Sequence, residues 1–181
     1  MKYLIVAGGT VDEQFAVDII KNGGYEVIIA VDAGMDFCYK SRIMPDVIVG
    51  DFDSVEEEAL SFFLKQEQMD IHRLNPEKDD TDTEYALRFA IGRGATKITV
   101  LGGTGSRLDH VIGNVVLLGA GMEKNVSIEL LDTHNKIKMT NSSLSIRKDE
   151  RFGKYLSVIP VAGDADGVTI TGVKYPLDNY D

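Results

Sequence analysis

Pro45-Asp46-Val47-Ile48-Val49-Gly50-Asp51-Phe52-Asp53-Ser54 is the stretch whose reading sets the fold. Val47, Ile48 and Val49 are three β-branched apolar residues in a row, the composition of a short strand buried on both faces of a parallel sheet. A glycine and two carboxylates, Asp51 and Asp53, come directly after it. Open α/β sheets bind ligands at the carboxyl ends of their strands, so paired anions there point to a divalent cation and a polyphosphate. A purely structural account competes with this one. In it Asp51 accepts turn hydrogen bonds, and Asp53 or Ser54 caps a helix opening near Val55.

Outward from this stretch the chain alternates strand and helix. Segments 3–7, 26–31, 69–74 and 97–101 read as further strands, and 11–22, 35–42, 55–66, 80–93 and 107–122 as helices. Repeats of this length predict a parallel sheet with right-handed crossovers. After about Asn125 the period changes. Segments 126–131, 136–140, 144–147, 155–161 and 168–173 are short alternating runs with no helical pattern between them, which predicts an antiparallel β module. The expected organisation is an α/β fold. A parallel-sheet, three-layer α/β domain spans residues 1–124, and a small antiparallel β-sandwich spans 125–181. So few strands leave open edges, so the sandwich is expected to be truncated at its C-terminus or covered by another subunit.

The 181 residues carry a formal charge of -10, which excludes sequence-independent binding to nucleic acid or to an anionic membrane. An anionic substrate then needs a local basic pocket or a bound metal. Cys38 is the one cysteine; no internal disulfide can form, and a reduced, cytoplasmic compartment is expected. No stretch approaches the roughly 20 apolar residues of a membrane span.

Unusual residues gather at four strand ends, which share one rim of a parallel sheet. These are Asp32-Ala33-Gly34, Gly50-Asp51-Phe52-Asp53, Lys78-Asp79-Asp80-Thr81-Asp82-Thr83-Glu84 and Gly102-Gly103-Thr104-Gly105-Ser106-Arg107-Leu108-Asp109-His110. Thr81 and Glu84 fit a capping box. That leaves Asp79 and Asp82 beside Asp80 and Lys78, a crowding of like charge that costs stability without a cation. Mg²⁺ is held by one or two carboxylates plus substrate phosphate oxygens. In the last segment the glycines let backbone N–H groups approach an anion, and Arg107 opens a helix whose N-terminus attracts one. Neither the P-loop nor the dinucleotide glycine pattern is present. His110, taken alone, reads as well as a core histidine. Together these residues predict a metal-dependent site for a phosphorylated ligand.

Three strings in order, Gly50-Asp51-Phe52-Asp53-Ser54, Lys78 to Glu84 and Gly105 to His110 with Gly113-Asn114, resemble the thiamine pyrophosphokinase (thiamine diphosphokinase) family. Tyr175-Pro176-Leu177 resembles its second-domain motif, so the likeness covers nearly the whole chain. The resemblance implies a homodimeric transferase moving the diphosphoryl group of ATP to the thiamine hydroxyl, with Mg²⁺, to give thiamine diphosphate and AMP. By motif position, Asp51, Asp53 and Asp79 or Asp82 would hold the metal. Arg107 would act with them in catalysis. Lys78, Gly103, Thr104, Gly105, Ser106 and Arg107 would hold the phosphates, Asp32 and Gly34 would line the nucleotide cleft, and Asp109 and His110 would face thiamine. A general base stays open between His110 and the aspartates. Ala33 stands where the family has glycine, and the family continues past Tyr175-Pro176-Leu177 with a Ser-Asn segment that this chain lacks. Two other readings remain: a Mg²⁺-dependent phosphohydrolase of a nucleotide or sugar phosphate, and a non-catalytic nucleotide- or thiamine-binding module.

Overall fold

The computed structural model describes residues 1–77, 79–105, 107–161 and 163–181. Its first half repeats one unit. β1 (Lys2–Val6) leads to α1 (Glu13–Asn22), β2 (Val27–Val31) to α2 (Gly34–Lys40), β3 (Val47–Gly50) to α3 (Glu57–Leu64) and β4 (Asp70–Arg73) to α4 (Asp82–Gly92). Next come β5 (Lys97–Leu101), α5 (Leu108–Leu117), α6 (Gly119–Met122), β6 (Ser127–Leu131) and β7 (Lys136–Lys138). Further on, β8 (Val168–Ile170) and β9 (Leu177–Tyr180) complete the described strands.

The main sheet has the order β4-β3-β2-β1-β5-β6-β7, parallel except for β7, which runs antiparallel to β6. β8 and β9 form a separate antiparallel pair. The expected α/β fold with a small antiparallel β region after it is therefore what the chain adopts. Val47, Ile48 and Val49 are buried as the opening run predicts. Their neighbours sort by alternation onto two faces. Ile5, Ile29, Val49 and Val100 pack with Ala86, Leu87 and Ala90 of α4, while Leu4, Ala30 and Ile48 pack with Ala16, Met35 and Phe63.

Three expectations need correction. Segments 126–131 and 136–140 were expected in the antiparallel module from residue 125 onward, but β6 and β7 extend the first sheet. Ile128 and Leu130 are buried, as a parallel strand reached by the α5–α6 crossover requires. Among the described residues, 144–147 and 155–161 form no strand; their apolar side chains, such as Leu144, Tyr155 and Ile159, are exposed and have no sheet to join. Beyond β7 the described strands are β8 and β9, a small antiparallel ribbon. Neither Asp53 nor Ser54 caps a helix: α3 starts at Glu57 after Glu56.

Strand order reverses at β1, which has β2 on one side and β5 on the other. The crevice beyond the carboxyl ends of the strands at such a reversal is the usual ligand position. Among the described residues no helix is long and apolar enough to cross a membrane.

Candidate active site

Gly50 ends β3 at φ +151°, and a Cβ there would lie 1.9 Å from Asp32 Oδ1. Glycine is required so that the Asp32 carboxylate can pack against the end of the neighbouring strand. Asp32 itself takes φ +46°, its N–H donating to Val49 O at 3.0 Å and its carbonyl accepting from Met35 N–H at 2.9 Å. Gly34 opens α2 beside it.

Beyond Gly50 the chain reverses at Phe52, whose ring is buried and whose φ is +70°. The reversal folds Asp51 and Asp53 together: Asp53 N–H donates to Asp51 Oδ1 at 3.0 Å. The guanidinium of Arg73, at the end of β4, lies 5.6 Å from the Phe52 ring centroid. Asp51, by hydrogen bond and by charge, raises the Asp53 carboxyl above its ordinary value, and Asp82 adds to the effect. Two predicted carboxylates thus sit together at the end of β3, with Asp82 near enough to act on Asp53 by charge.

Asp82 arrives there on the first turn of α4. Thr81 caps that helix, its hydroxyl accepting from Glu84 N–H at 3.2 Å. The reciprocal half of the capping box is absent, because the Glu84 carboxylate pairs with Arg88. Asp80 pairs with Arg88 as well, at 2.7 Å. Part of the acidic crowding is therefore neutralised within α4. Asp79 is exposed, and among the described residues of that segment Asp82 acts on Asp53 by charge. Tyr85 braces the turn through its hydroxyl, 2.9 Å from His72 Nδ1 on β4.

The glycine loop after β5 is wedged between two others. A Cβ on Gly9 would lie 2.2 Å from Gly102 O, so the β1 loop touches it directly. On its other flank Asn114 of α5 donates to Gly103 O at 2.9 Å, and the Thr104 hydroxyl donates to Asp132 at 2.6 Å. Arg107 and Asp109 form a two-point ion pair, 2.6 Å and 3.2 Å, both side chains exposed. The Arg107 guanidinium, then the His110 N–H, hold the Asp109 carboxyl down at about 2. His110 is exposed beside them. Lys78 and Ser106 lie outside the described residues.

Asp132, just past β6, was not among the expected site residues. With Thr133, His134 and Asn135 it walls a cavity of about 510 Å³ at the sheet's reversal point. Thr10, Asp12 and Thr104 complete its polar side, and Val11, Phe15, Ala16, Leu101 and Leu131 its apolar floor. The signal for Asp132 was an acidic residue at a sixth parallel strand end, hidden because the sequence pattern puts β6 in the second module.

Among the described residues no group of three His, Cys, Asp or Glu side chains stands ready to hold a metal. The adjoining Asp51 and Asp53 still suit Mg²⁺, which takes one or two carboxylates and completes its shell with water and phosphate oxygens.

Family comparisons match these features. The sequence profile for the thiamin pyrophosphokinase catalytic domain matches residues 22–130, and that for the thiamin pyrophosphokinase vitamin B1 binding domain matches 141–181. The chain belongs to the thiamine pyrophosphokinase family. It is 38% identical over 152 residues to the thiamine pyrophosphokinase of Bacillus subtilis, covering 83% of this chain and 70% of that protein. Thiamine pyrophosphokinase 2 of Arabidopsis thaliana is 26% identical over 157 residues, 79% of this chain and 56% of its own length. A solved thiamine pyrophosphokinase structure from Bacillus subtilis superposes with a TM-score of 0.85 at 34% identity, covering 99% of this chain and 83% of that one. As a thiamine pyrophosphokinase family member the chain is an enzyme of transferase type, in agreement with its motifs.

Proposed function

We propose that this chain transfers the diphosphoryl group of ATP to the hydroxyl of thiamine, giving thiamine diphosphate and AMP, as a cytoplasmic Mg²⁺-dependent homodimer. One observation carries the proposal: the turn after β3 holds Asp51 and Asp53 together at a strand end, on the rim that also carries the pinned Gly102–Gly105 loop. An acidic cluster alone would repel a polyphosphate, and a glycine loop alone would bind no metal.

In this reading Asp51 and Asp53 hold Mg²⁺, with Asp82 in preference to Asp79 as the third carboxylate. The metal would neutralise charge on the transferring group. Gly103, Thr104 and Gly105 offer backbone N–H groups to the phosphates, with Lys78 and Ser106 in the same role by motif position. Arg107 stabilises charge as AMP leaves. Asp32 and Gly34 line the nucleotide cleft. The cavity behind Asp132 takes the adenosine half of ATP, its apolar floor under the base and its polar side toward the ribose. Asp109 and His110 face thiamine. With its carboxyl at about 2, Asp109 is a poor base near neutrality, so its part is orientation of Arg107 and substrate.

For the organisation, we assign residues 1–138 to the nucleotide and metal half, and the remainder to the thiamine half. The homodimer is supported by the outer stripe of α5, where Leu108, Ile112 and Val116 are 76%, 65% and 59% exposed at helical spacing. The test is product identity: incubation with ATP, Mg²⁺ and thiamine should yield AMP and thiamine diphosphate. ADP with thiamine monophosphate would reject the diphosphoryl transfer. Phosphate release independent of thiamine would favour a hydrolase, which the family comparisons do not support.

A further inference from the structure

The loop Gly102-Gly103-Thr104-Gly105 has a single side chain beyond glycine with which to hold itself in place. Glycine loses more conformational freedom on ordering than any other residue. A loop so built stays open to many shapes unless something outside it fixes one. Among the described residues, two side-chain bonds come from outside. Asn114, on α5, takes the carbonyl of Gly103, and Asp132, in the β6–β7 turn, takes the hydroxyl of Thr104.

The Asp132 carboxylate is unusually well committed. Its Oδ1 accepts from the N–H of His134 at 2.6 Å and of Asn135 at 2.7 Å. The Asn135 side chain donates to both oxygens, at 3.1 Å and 3.0 Å. These local bonds close the turn between β6 and β7 and leave Oδ2 aimed at Thr104. The anchor is thus rigid before it meets the loop. It lines the cavity, whose walls do not include Asp51, Asp53 or Asp82, so it is not needed as a metal ligand.

We propose that Asp132 is a positioning residue for phosphoryl transfer: through Thr104 it locks the glycine loop into the one shape whose backbone N–H groups, and the Arg107 beyond them, meet the transferring group. This rests on the diphosphotransferase reading above. Asp132 touches neither reacting atom nor metal. Its contribution is preorganisation, where a displacement of about 1 Å at the reacting groups costs on the order of a hundredfold in rate. Binding of thiamine, on the far side of Arg107, does not depend on it.

The decisive variants are Thr104→Val, Thr104→Ser, Asp132→Ala and the double variant Thr104→Val/Asp132→Ala. T104V removes the hydroxyl yet leaves every bond that closes the β6–β7 turn, so it separates loop disorder from loss of fold. Expected are a fall in kcat of about 10- to 100-fold for T104V, recovery of most of that loss in T104S, and a KM for thiamine within about threefold of the parent. Because the two side chains act through one bond, the double variant should be no slower than the slower single variant. Additive losses in the double variant, or T104S as impaired as T104V, would overturn the proposal.

A second readout does not depend on turnover. Backbone amide order parameters of Gly103 and Gly105 should drop from the rigid range near 0.85 to below about 0.6 in T104V and D132A, with the melting temperature of T104V unchanged. Order parameters that stay high defeat the inference even if the parent chain makes no thiamine diphosphate. A parent chain without that product, but with the loop loosened as expected, would count against the diphosphotransferase reading and leave the positioning contact standing.

Discussion

Phe52 has a buried ring and a backbone at φ +70°, a conformation that costs a bulky L-residue on the order of 1–3 kcal/mol. The core retains the ring, and the reversal leaves Asp51 and Asp53 side by side with like charge. Neither cost serves the fold by itself; in the proposed reading they prepare a cation site together. Asp51→Asn therefore tests function against structure at one atom. The amide keeps an oxygen to accept from Asp53 N–H, so stability should change by less than about 0.5 kcal/mol. Turnover with Mg²⁺ should fall by about 10²–10³-fold. A large loss of stability at intact turnover would return Asp51 to the role of a turn residue. Arg107 and Asp109 give a second residue-scale expectation. Asp109 is depressed to about 2 by Arg107 first and the His110 N–H next, so its charge is lost only as pH falls through about 2. No limb of a rate profile between pH 5 and 9 then belongs to it. Arg107→Met should let its carboxyl rise toward the ordinary value near 3.9, read by carboxyl-carbon NMR titration; a value still near 2 would mean that the ion pair is not the cause.

At the scale of the element, β6 is where sequence reasoning and structure part. Ser127-Ile128-Glu129-Leu130 alternates polar and apolar residues, which is the pattern of a half-buried antiparallel strand. Yet Glu129 is only 2% exposed. It is buried because its partners come from other strands: Thr99 Oγ1 donates at 3.0 Å, Lys97 pairs at 3.0 Å, Lys138 at 3.2 Å and Lys136 at 3.9 Å. Single-chain periodicity cannot see that compensation, so the strand looks amphipathic in the sequence, and Asp132 at its end stays hidden. β1, β2 and β3 were legible because uninterrupted apolar runs admit no such exception. Burial pushes the Glu129 carboxyl up, but the Lys97 bond and the nearby ammonium groups outweigh it and leave a net lowering. A depressed carboxyl adds stability above its unfolded pKa, and that contribution is lost as pH falls through the lower folded value. Glu129→Gln keeps the shape and deletes the charge. It should cost about 2–3 kcal/mol in urea unfolding at pH 7, and the gap to the parent chain should close well below pH 4. A gap constant with pH would show that packing, not charge, sets the cost.

Across the whole molecule, the legible part was whatever one segment could express alone. The rim of carboxylates and glycines belongs there, since a parallel sheet brings all its strand ends to one side whatever their neighbours. Strand membership after Asn125 was not legible, because it depends on which edge the crossover through α5 and α6 reaches. The structure answers that in a way that can be cut. β7 closes the first sheet, and among the described residues neither apolar core cluster contains a residue beyond Met139. Downstream, Tyr155, Ile159 and Tyr175 are 94%, 73% and 77% exposed, so the remainder adds little buried apolar area to the sheet. A chain ended after residue 140 should unfold in one cooperative step, with a midpoint in urea close to that of the full chain. Removing a segment with no share in the core leaves the hydrophobic term nearly whole. The shortened chain should also keep ATP and Mg²⁺ binding by calorimetry, because the proposed nucleotide and metal groups, from Asp32 to Asp132, precede the cut, and it should lose thiamine turnover. Collapse of the sheet on truncation would mean that the C-terminal ribbon carries the fold, and would undo the division of labour between the two halves.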